Sequence, residues 1–236
     1  MSGHSKWSKI KHKKGTADHK KGQLFSKLSK QITIAAQDGG DPVMNFKLRI
    51  AIDQAKNSEM PKDNIQRAID KATGVDAGQI EPVTYEGYGP FGTAFIIEAA
   101  TDSKNRTTSN IRHLLEKYGG SLGQKNSVVW NFESKGVILI EKAGDTSELE
   151  LAAIDAGAED VEVSEEGLAI SIAPLKLLSI KKNLAQQGAK IVSAEAVMEA
   201  KNKVNLDEGQ KKKVQALYDD LSSDDDVIMV HTSANL

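Results

Sequence analysis

The fold is decided by residues 137–194, which read VILIEKAGDTSELELAAIDAGAEDVEVSEEGLAISIAPLKLLSIKKNLAQQGAKIVSA. Short apolar or alternating runs, typical of strands, are separated by longer stretches whose apolar residues recur every three or four positions, as in helices. Ser147 and Glu150 predict a capping box for the first helix. The predicted order is strand, helix, strand, strand, helix, strand, at residues 137–140, 147–156, 161–163, 168–172, 174–188 and 190–194. This β-α-β-β-α-β order is that of a ferredoxin-like unit.

The residues on either side of this stretch form an incomplete second unit. Residues 94–133 predict a strand, a helix and a strand, but no further helix follows before the stretch begins. The missing helix and strand are predicted at residues 207–231, where Asp207 and Gln210 indicate a helix cap. We therefore expect one unit to be inserted in the chain of the other.

The N-terminal part of the chain is predicted to be helical. Between residues 16 and 74 the apolar residues recur with helical spacing in three stripes, broken by glycine and proline. Asp41, followed by Pro42, indicates the N-cap of the second helix. The glycine-rich residues 74–92 indicate a linker that runs into a loop.

These patterns together predict the fold class α+β. A helical N-terminal domain is followed by two ferredoxin-like α/β domains, one inserted in the other. The predicted domains are residues 1–78, with a basic arm and three helices, residues 79–133 together with 205–236, and the inserted residues 134–204.

Positive charge is concentrated at the start of the chain. The first thirty residues contain nine lysines and one acidic residue, and residues 1–75 carry 15 Lys and Arg against 7 Asp and Glu. The remaining residues carry 16 Lys and Arg against 26 Asp and Glu. A solvated surface is the alternative explanation, but such surfaces usually mix both signs. A lysine-rich arm can follow a phosphate backbone and release its counterions, so nucleic acid is the predicted partner. The arm contains Lys6, Lys9, Lys11, Lys13 and Lys14.

Several other classes of protein are disfavoured. The chain has no cysteine and no apolar stretch long enough to span a membrane. The glycines of 87–92 precede a strand, and the G-x-S-x-G motif around Ser121 follows a helix, so neither has the context of a dinucleotide site or a nucleophile elbow. His4, His12 and His19 lack the spacing of metal ligands. We expect a soluble, cytoplasmic protein that is not an enzyme and has no cofactor, no metal, no membrane contact and no small-molecule substrate.

Four aromatic residues have alternative interpretations. Tyr85 and Tyr88 either pack at a domain junction or contact a ligand, for example by stacking on a base. Trp7 either stacks on a base or anchors the arm to the helical domain. Trp130 lies on the apolar face of a strand predicted over 128–132, which favours a place in the core.

The segment TDSKNRTTSN, residues 101–110, lies between a predicted strand and a predicted helix. Backbone amides gather at a helix N-terminus, and Lys104 and Arg106 add positive charge. A phosphate contact is one interpretation. Ordinary capping of the helix by Asn105 or Thr107 is the other.

Five sequence motifs occur in order along nearly the whole chain. They are GHSKW with IKHKK at 3–14, GGDP at 39–42, YEGYGPFG at 85–92, TDSKNRT at 101–107 and GGSLG at 119–123. Together they resemble the YebC/PmpR family of bacterial regulatory proteins, whose mitochondrial members are translational activators of a cytochrome oxidase subunit. The resemblance implies a helical N-terminal domain and two α/β domains. The chain departs from the family pattern at Phe91, where a small residue is usual.

The resemblance implies two alternative functions. Family members are described as DNA-binding transcriptional regulators, and some look like ribosome-associated factors that help the translation of proline-rich stretches. Both alternatives imply one surface, made of Lys6, Lys9, Lys11, His12, Lys13, Lys14, Lys20, Lys21 and Lys27, with Tyr85, Tyr88, Asn105 and Arg106 nearby. No helix-turn-helix, zinc finger or basic zipper is recognisable, which weakens direct readout of DNA. Ribosomal RNA can be bound through charge, shape and stacking alone.

Overall fold

The computed structural model describes residues 19–74, 80–142 and 146–236, with side chains from Lys21 onward. The predicted arm lies outside the described residues, with Lys6, Trp7, Lys9, Lys11, His12, Lys13 and Lys14, and so does the side chain of Lys20. The helices are α1 (His19–Gln37), α2 (Phe46–Asn57), α3 (Lys62–Thr73), α4 (Lys104–Lys117), α5 (Ser147–Asp155), α6 (Leu177–Gln186) and α7 (Glu208–Ser223). The strands are β1 (Glu81–Tyr88), β2 (Ala94–Thr101), β3 (Ser121–Leu122), β4 (Phe132–Glu141), β5 (Asp160–Val163), β6 (Gly167–Ile172), β7 (Ile191–Ala200) and β8 (Val227–Thr232).

Helices α1, α2 and α3 share one apolar core. Its buried residues recur at helical spacing and include Leu28, Ile32, Leu48, Ile52 and Ile65. The N-cap of α2 is Asn45, whose side chain accepts a hydrogen bond from the Leu48 N–H at 3.0 Å. The predicted cap, Asp41, is wrong because its carboxylate instead accepts from the Val43 N–H at 2.8 Å and closes a turn before the helix.

The first sheet has the strand order β3-β1-β2-β8. Strands β1 and β2 form an antiparallel hairpin, in which Tyr88 pairs with Ala94. The prediction of a linker and a loop over 74–92 is therefore wrong for Glu81–Tyr88, which form β1. Gly87 lies within the strand and pairs with Phe95. A Cβ at Gly87 would lie only 2.8 Å from the Leu115 side chain of α4. Glycine serves here for close approach of the helix to the strand.

Helices α4 and α7 pack on this sheet around a second apolar core. Helix α7 begins at the predicted capping box, in which Asp207 accepts from the Gln210 N–H and Gln210 accepts from the Asp207 N–H. The core residues include Phe95, Ile97, Ile111, Leu115, Val214, Leu217 and Leu221. The helix and strand predicted at 207–231 therefore complete the first sheet, as β8 pairs with β2.

Residues 128–132 do not form the predicted strand. Val129–Asn131 is a 3-10 turn, and β4 begins at Phe132. Successive residues of such a turn are rotated by about a third of a turn, so alternate residues no longer share a face. Val128 and Phe132 are buried, whereas Trp130 is 66% exposed. The predicted place of Trp130 in the core is therefore wrong.

The second sheet has the strand order β5-β6-β4-β7, and its elements follow one another as β4-α5-β5-β6-α6-β7. The predicted β-α-β-β-α-β order is confirmed. The predicted capping box is displaced, because the N-cap of α5 is Thr146 and not Ser147. Thr146 Oγ1 donates to Glu150 Oε1 at 2.7 Å, which uses the carboxylate that the box required.

The described residues divide into two compact units, residues 134–199 and residues 19–133 with 200–236. The chain leaves the larger unit after residue 133 and returns to it at residue 200. The two segments are hydrogen-bonded near this point, since the Lys201 N–H donates to the Asn131 carbonyl at 2.8 Å. The α+β class is confirmed: N-terminal helices precede two antiparallel four-stranded sheets with helices, one inserted in the chain of the other. The first sheet opens with the β1–β2 hairpin, so the chain order of its elements differs from that of the second sheet.

Candidate nucleic-acid interface

One end of the first sheet is organised by the buried carboxylate of Asp226. Its Oδ1 accepts from Lys30 Nζ of α1 at 2.8 Å. Its Oδ2 accepts from Arg106 Nη2 at 2.8 Å and from Thr107 Oγ1 at 2.7 Å, both in α4. Thr101 Oγ1 donates to the same oxygen at 3.3 Å. Asp226 directly precedes β8, and its carboxylate thus joins α1 and α4 to the start of that strand.

The pKa of Asp226 lies well below its usual range. Burial of the carboxyl group raises its pKa, but the hydrogen bonds from Lys30, Arg106 and Thr107 outweigh that effect. The carboxylate therefore stays ionised, and its charge holds the surrounding donors.

This network gives the TDSKNRT motif a structural role. Arg106 donates to Asp102 at 2.8 Å as well as to Asp226, and its side chain is 52% exposed. Asn105 is exposed. The predicted caps of α4, Asn105 or Thr107, are wrong, because the N-cap position of this helix is Ser103. A guanidinium has five donors, so Arg106 can hold both carboxylates and still reach a phosphate.

The predicted lysines of α1 differ in their surroundings. Lys21 is exposed and lies 3.3 Å from a carboxylate oxygen of Glu59, which is also exposed. Such surface pairs are weak and can be exchanged for a phosphate. Lys27 is half-buried, and its ammonium donates to the Ser222 carbonyl of α7.

The two predicted tyrosines also differ. Tyr85 packs in the core of the first sheet, and its hydroxyl donates to the Lys104 carbonyl at 3.4 Å. Tyr88 is 43% exposed at the other end of β1. The two ends of the β1–β2 hairpin are separated by about 23 Å, at ~3.3 Å per residue. The structure therefore does not bring Tyr88 together with Asn105 and Arg106.

A second exposed aromatic side chain lies beside Tyr88. The Tyr88 hydroxyl donates to the Ser127 carbonyl at 3.0 Å, and Trp130 Nε1 donates to the same oxygen at 2.9 Å. The shared acceptor satisfies the polar edge of each ring. Both rings are therefore held in defined positions while remaining exposed.

The loop that contains Ser127 is held by Glu86. The Glu86 carboxylate accepts from the N–H groups of Asn126, Val128 and Val129 at 2.6, 2.8 and 2.8 Å. Burial raises the pKa of Glu86, but the backbone hydrogen bonds from Val128, Asn126 and Val129 outweigh it and leave the pKa below its ordinary value. Charge-assisted hydrogen bonds of this kind make the loop rigid.

Phe91 is a third exposed aromatic residue, in the turn that follows Tyr88. It adopts a left-handed backbone conformation, with φ 61° and ψ 28°, and is 45% exposed. The Lys213 ammonium lies 5.7 Å from the ring centroid, within cation–π range. The GGSLG motif lies against this turn, because a Cβ at Gly120 would come 2.2 Å from the Tyr88 carbonyl oxygen.

We name Tyr88, Phe91, Trp130 and Lys213 the aromatic–lysine surface. Of these four residues, only Tyr88 is a predicted site residue. Alternation at 128–132 predicts a buried strand and so places Trp130 in the core, although the polar GQKNS segment before it is typical of a turn. Lys213 belongs to a run of three lysines in α7, a pattern that is common on a solvated helix face.

In the part of the chain that the structure describes, no group of three or more His, Asp or Glu side chains could hold a metal ion. None of the helices described there has the length and apolar character needed to cross a membrane.

The chain matches two family models along almost its whole length. Residues 5–75 match the TACO1/YebC protein N-terminal domain, and residues 80–234 match the TACO1/YebC second and third domain. N-terminal helices followed by two antiparallel four-stranded sheets with helices thus define the class of protein that these family models describe. The chain belongs to the TACO1/YebC family, which confirms the resemblance inferred from the motifs.

Full-length relatives support the same assignment. A probable transcriptional regulatory protein of Thermoanaerobacter pseudethanolicus is 47% identical over 240 residues, with 100% of this chain and 98% of its own length covered. Another, from Dehalococcoides mccartyi, is 47% identical over 238 residues, with 100% and 95% covered. The crystal structure of a conserved hypothetical protein from Aquifex aeolicus superposes with a TM-score of 0.89 at 41% identity, covering 98% of this chain and 96% of that one.

Proposed function

We propose that this protein is a nucleic-acid-binding regulator of gene expression that binds DNA and regulates transcription. The names of its full-length relatives carry the proposal, since both are described as probable transcriptional regulatory proteins. As such a regulator it acts in the cytoplasm, is not an enzyme and needs no cofactor.

The distribution of charge supports nucleic-acid binding. The basic first third of the chain can neutralise phosphates, while the acidic remainder keeps the protein soluble. Lys21 extends this charge into α1, where its ion pair with Glu59 is exposed and easily exchanged. Arg106 has free donors in addition to those that hold Asp226.

A second candidate is a translation factor that binds ribosomal RNA and relieves stalling on proline-rich stretches. The exposed rings of Tyr88 and Trp130 favour it, because unpaired bases in RNA loops commonly stack on aromatic side chains.

Binding measured at several salt concentrations tests the proposal. The protein is titrated with a labelled duplex in the presence of specific and scrambled competitors, and in parallel it is sedimented with ribosomes through a sucrose cushion. Replacement of Lys9, Lys11, Lys13 and Lys14 by glutamine should reduce the slope of log affinity against log salt by up to about 0.9 per lost duplex phosphate contact. An unchanged slope would mean that these four lysines do not contact phosphates of the bound nucleic acid.

The matched control replaces four lysines of the inserted unit by glutamine, and it should leave the slope unchanged. These are Lys142, Lys176, Lys182 and Lys190. A footprint on one duplex sequence that survives scrambled competitor supports transcriptional regulation. Co-sedimentation with ribosomes without sequence preference for duplex DNA supports the translation factor instead.

A further inference from the structure

We infer that the aromatic–lysine surface binds unpaired nucleobases of a single-stranded nucleic acid. This inference rests on the proposed function and adds to it a second set of binding residues, none of which belongs to the basic arm. Trp130, Phe91 and Lys213 join Tyr88 as residues that contact the ligand.

The arrangement of the rings supports stacking. Trp130 and Tyr88 use their polar edges on one backbone oxygen, that of Ser127, at 2.9 and 3.0 Å. Because these edges are satisfied, an added ligand gains most from contact with the ring faces. Nucleobases offer such contact irrespective of sequence, since every base has a π-face.

The rigidity of the supporting loop reduces the entropic cost of binding. Glu86 holds the loop through three backbone hydrogen bonds of 2.6 to 2.8 Å on either side of Ser127. Phe91 is confined by its turn to a left-handed conformation that leaves its ring 45% exposed. Rings that are already ordered lose little freedom on binding, and preorganisation of this kind increases affinity.

The charge beside the rings matches a nucleic acid. Lys213 is exposed and lies against the Phe91 ring, 5.7 Å from its centroid. Lys201 is exposed beside Trp130, where its ammonium donates to the Trp130 carbonyl at 3.2 Å. Two ammonium groups next to three exposed rings allow phosphates to be neutralised while the adjacent bases stack, the combination found in single-strand binding sites. A duplex hides the faces of its bases, so it should not stack here.

Intrinsic fluorescence reports directly on this surface. The chain has two tryptophans, Trp7 and Trp130, so the Trp7→Phe variant leaves Trp130 as the single indole emitter. This full-length variant is titrated with a twelve-nucleotide DNA strand, the RNA strand of the same sequence and the corresponding DNA duplex. We expect both single strands to quench Trp130 emission, the stronger of the two identifying the preferred sugar, and the duplex to leave the emission nearly unchanged.

Affinity measurements on ring variants separate this surface from the arm. Trp130→Ala and Tyr88→Ala should each weaken single-strand binding by about 5- to 100-fold, without changing its salt dependence. Phe91→Gly should weaken it as well, and the fold should tolerate this change because glycine adopts the left-handed conformation freely. Tyr88→Phe and Trp130→Phe keep a ring and should retain most of the affinity. Circular dichroism and thermal unfolding check that each variant is folded.

A matched control comes from an exposed apolar residue elsewhere. Leu175 in the inserted unit is 97% exposed, and Leu175→Ala should leave single-strand affinity unchanged. Single-strand binding with no quenching of Trp130 and no loss in the alanine variants overturns the inference and leaves the proposed function intact. Equal quenching by duplex also overturns it. A failure of every nucleic acid to bind removes the proposed function and the inference together.

Discussion

Asp226 is a single carboxylate that connects elements far apart in the chain. Lys30 is nearly two hundred residues away in sequence, yet its ammonium lies 2.8 Å from Asp226 Oδ1. Arg106 and Thr107 contact the other oxygen. We expect Asp226→Asn to lower the free energy of unfolding by about 1.5–3 kcal/mol, the range for hydrogen bonds to charged groups. Urea unfolding at neutral pH measures this change.

Asp225→Asn is the matched control, because Lys30 contacts the backbone carbonyl of Asp225 and not its side chain. It should change the free energy of unfolding by less than about 0.5 kcal/mol, as expected of a surface position. Equal effects of the two substitutions would contradict the role given to the Asp226 side chain.

The low pKa of Asp226 also predicts a pH dependence. A carboxyl group whose pKa is lower in the folded state stabilises the fold above its unfolded pKa, ~3.9, and loses this contribution as the pH falls towards the folded value. The difference in stability between wild type and Asp226→Asn should therefore be constant above about pH 5 and shrink as the pH approaches about 2. Thermal unfolding across this range measures it, and a difference that grows in acid would contradict the assignment.

Glu86 is the corresponding residue at the opposite end of the sheet. Glu86→Gln keeps one acceptor oxygen but turns an amide NH2 towards backbone N–H groups. We expect faster hydrogen exchange at Asn126, Val128 and Val129 and a loss of about 1–3 kcal/mol in stability. Glu116→Gln, at an exposed position of α4, should change neither. Unchanged exchange at the three amides would mean that Glu86 does not hold this loop.

At the scale of secondary-structure elements, helix ends were predictable where the cap is local. The capping box of α7 was predicted from Asp207 and Gln210, and it is present with donor–acceptor distances of 2.8 and 3.1 Å. Asp207→Ala should therefore lower the free energy of unfolding by about 1 kcal/mol, whereas Asp207→Ser keeps an acceptor and should recover most of the loss. Chemical unfolding of the three proteins compares them, and equal stability of the alanine and serine variants would contradict the cap.

Caps were mispredicted where a second polar residue competes for the same position. Thr146 precedes Ser147 and binds the Glu150 carboxylate, and Asn45 caps α2 although Asp41 stands before a proline. Each cap depends on the path of the chain in the segment before the helix. Strand β1 also depends on tertiary contacts, since Gly87 is needed where α4 and β3 pack closely against it.

At the scale of the whole molecule, the larger unit is built from two separated segments of chain, residues 19–133 and 200–236. We predict that replacing residues 134–199 by a short Gly/Ser linker leaves the rest able to fold cooperatively. The Lys201 N–H donates to the Asn131 carbonyl at 2.8 Å, so the two ends to be joined are adjacent and the loop is closed at modest entropic cost. A single cooperative thermal transition of this variant is the expected result.

Truncation after Glu133 is the comparison that separates the two domain arrangements. It removes α7 and β8, and so exposes Phe95 and Ile97 on the sheet face that α7 covers. We expect this shorter chain to aggregate, because exposed sheet faces and edges invite association. A folded truncation together with an unfolded linker variant would mean that the domains follow one another linearly and that the predicted boundaries, 79–133 with 205–236 around 134–204, are wrong.

The sequence by itself determined the features that depend on neighbouring residues or on summed charge. These are the three N-terminal helices, the β-α-β-β-α-β order of the inserted unit, the completion of the first sheet by residues 207–231, and the family. Hydrophobic periodicity and ordered motifs are local signals, so they survive without knowledge of what packs where. Only the tertiary structure decided that Trp130 faces solvent beside Tyr88 and that Arg106 is bound to Asp226. The Tyr88 hydroxyl contacts the Ser127 carbonyl across 39 positions, and Arg106 contacts Asp226 across 120 positions. No local pattern encodes such contacts. The first forms only when the loop around Ser127 is held beside β1, and the second only when the two chain segments of the larger unit come together.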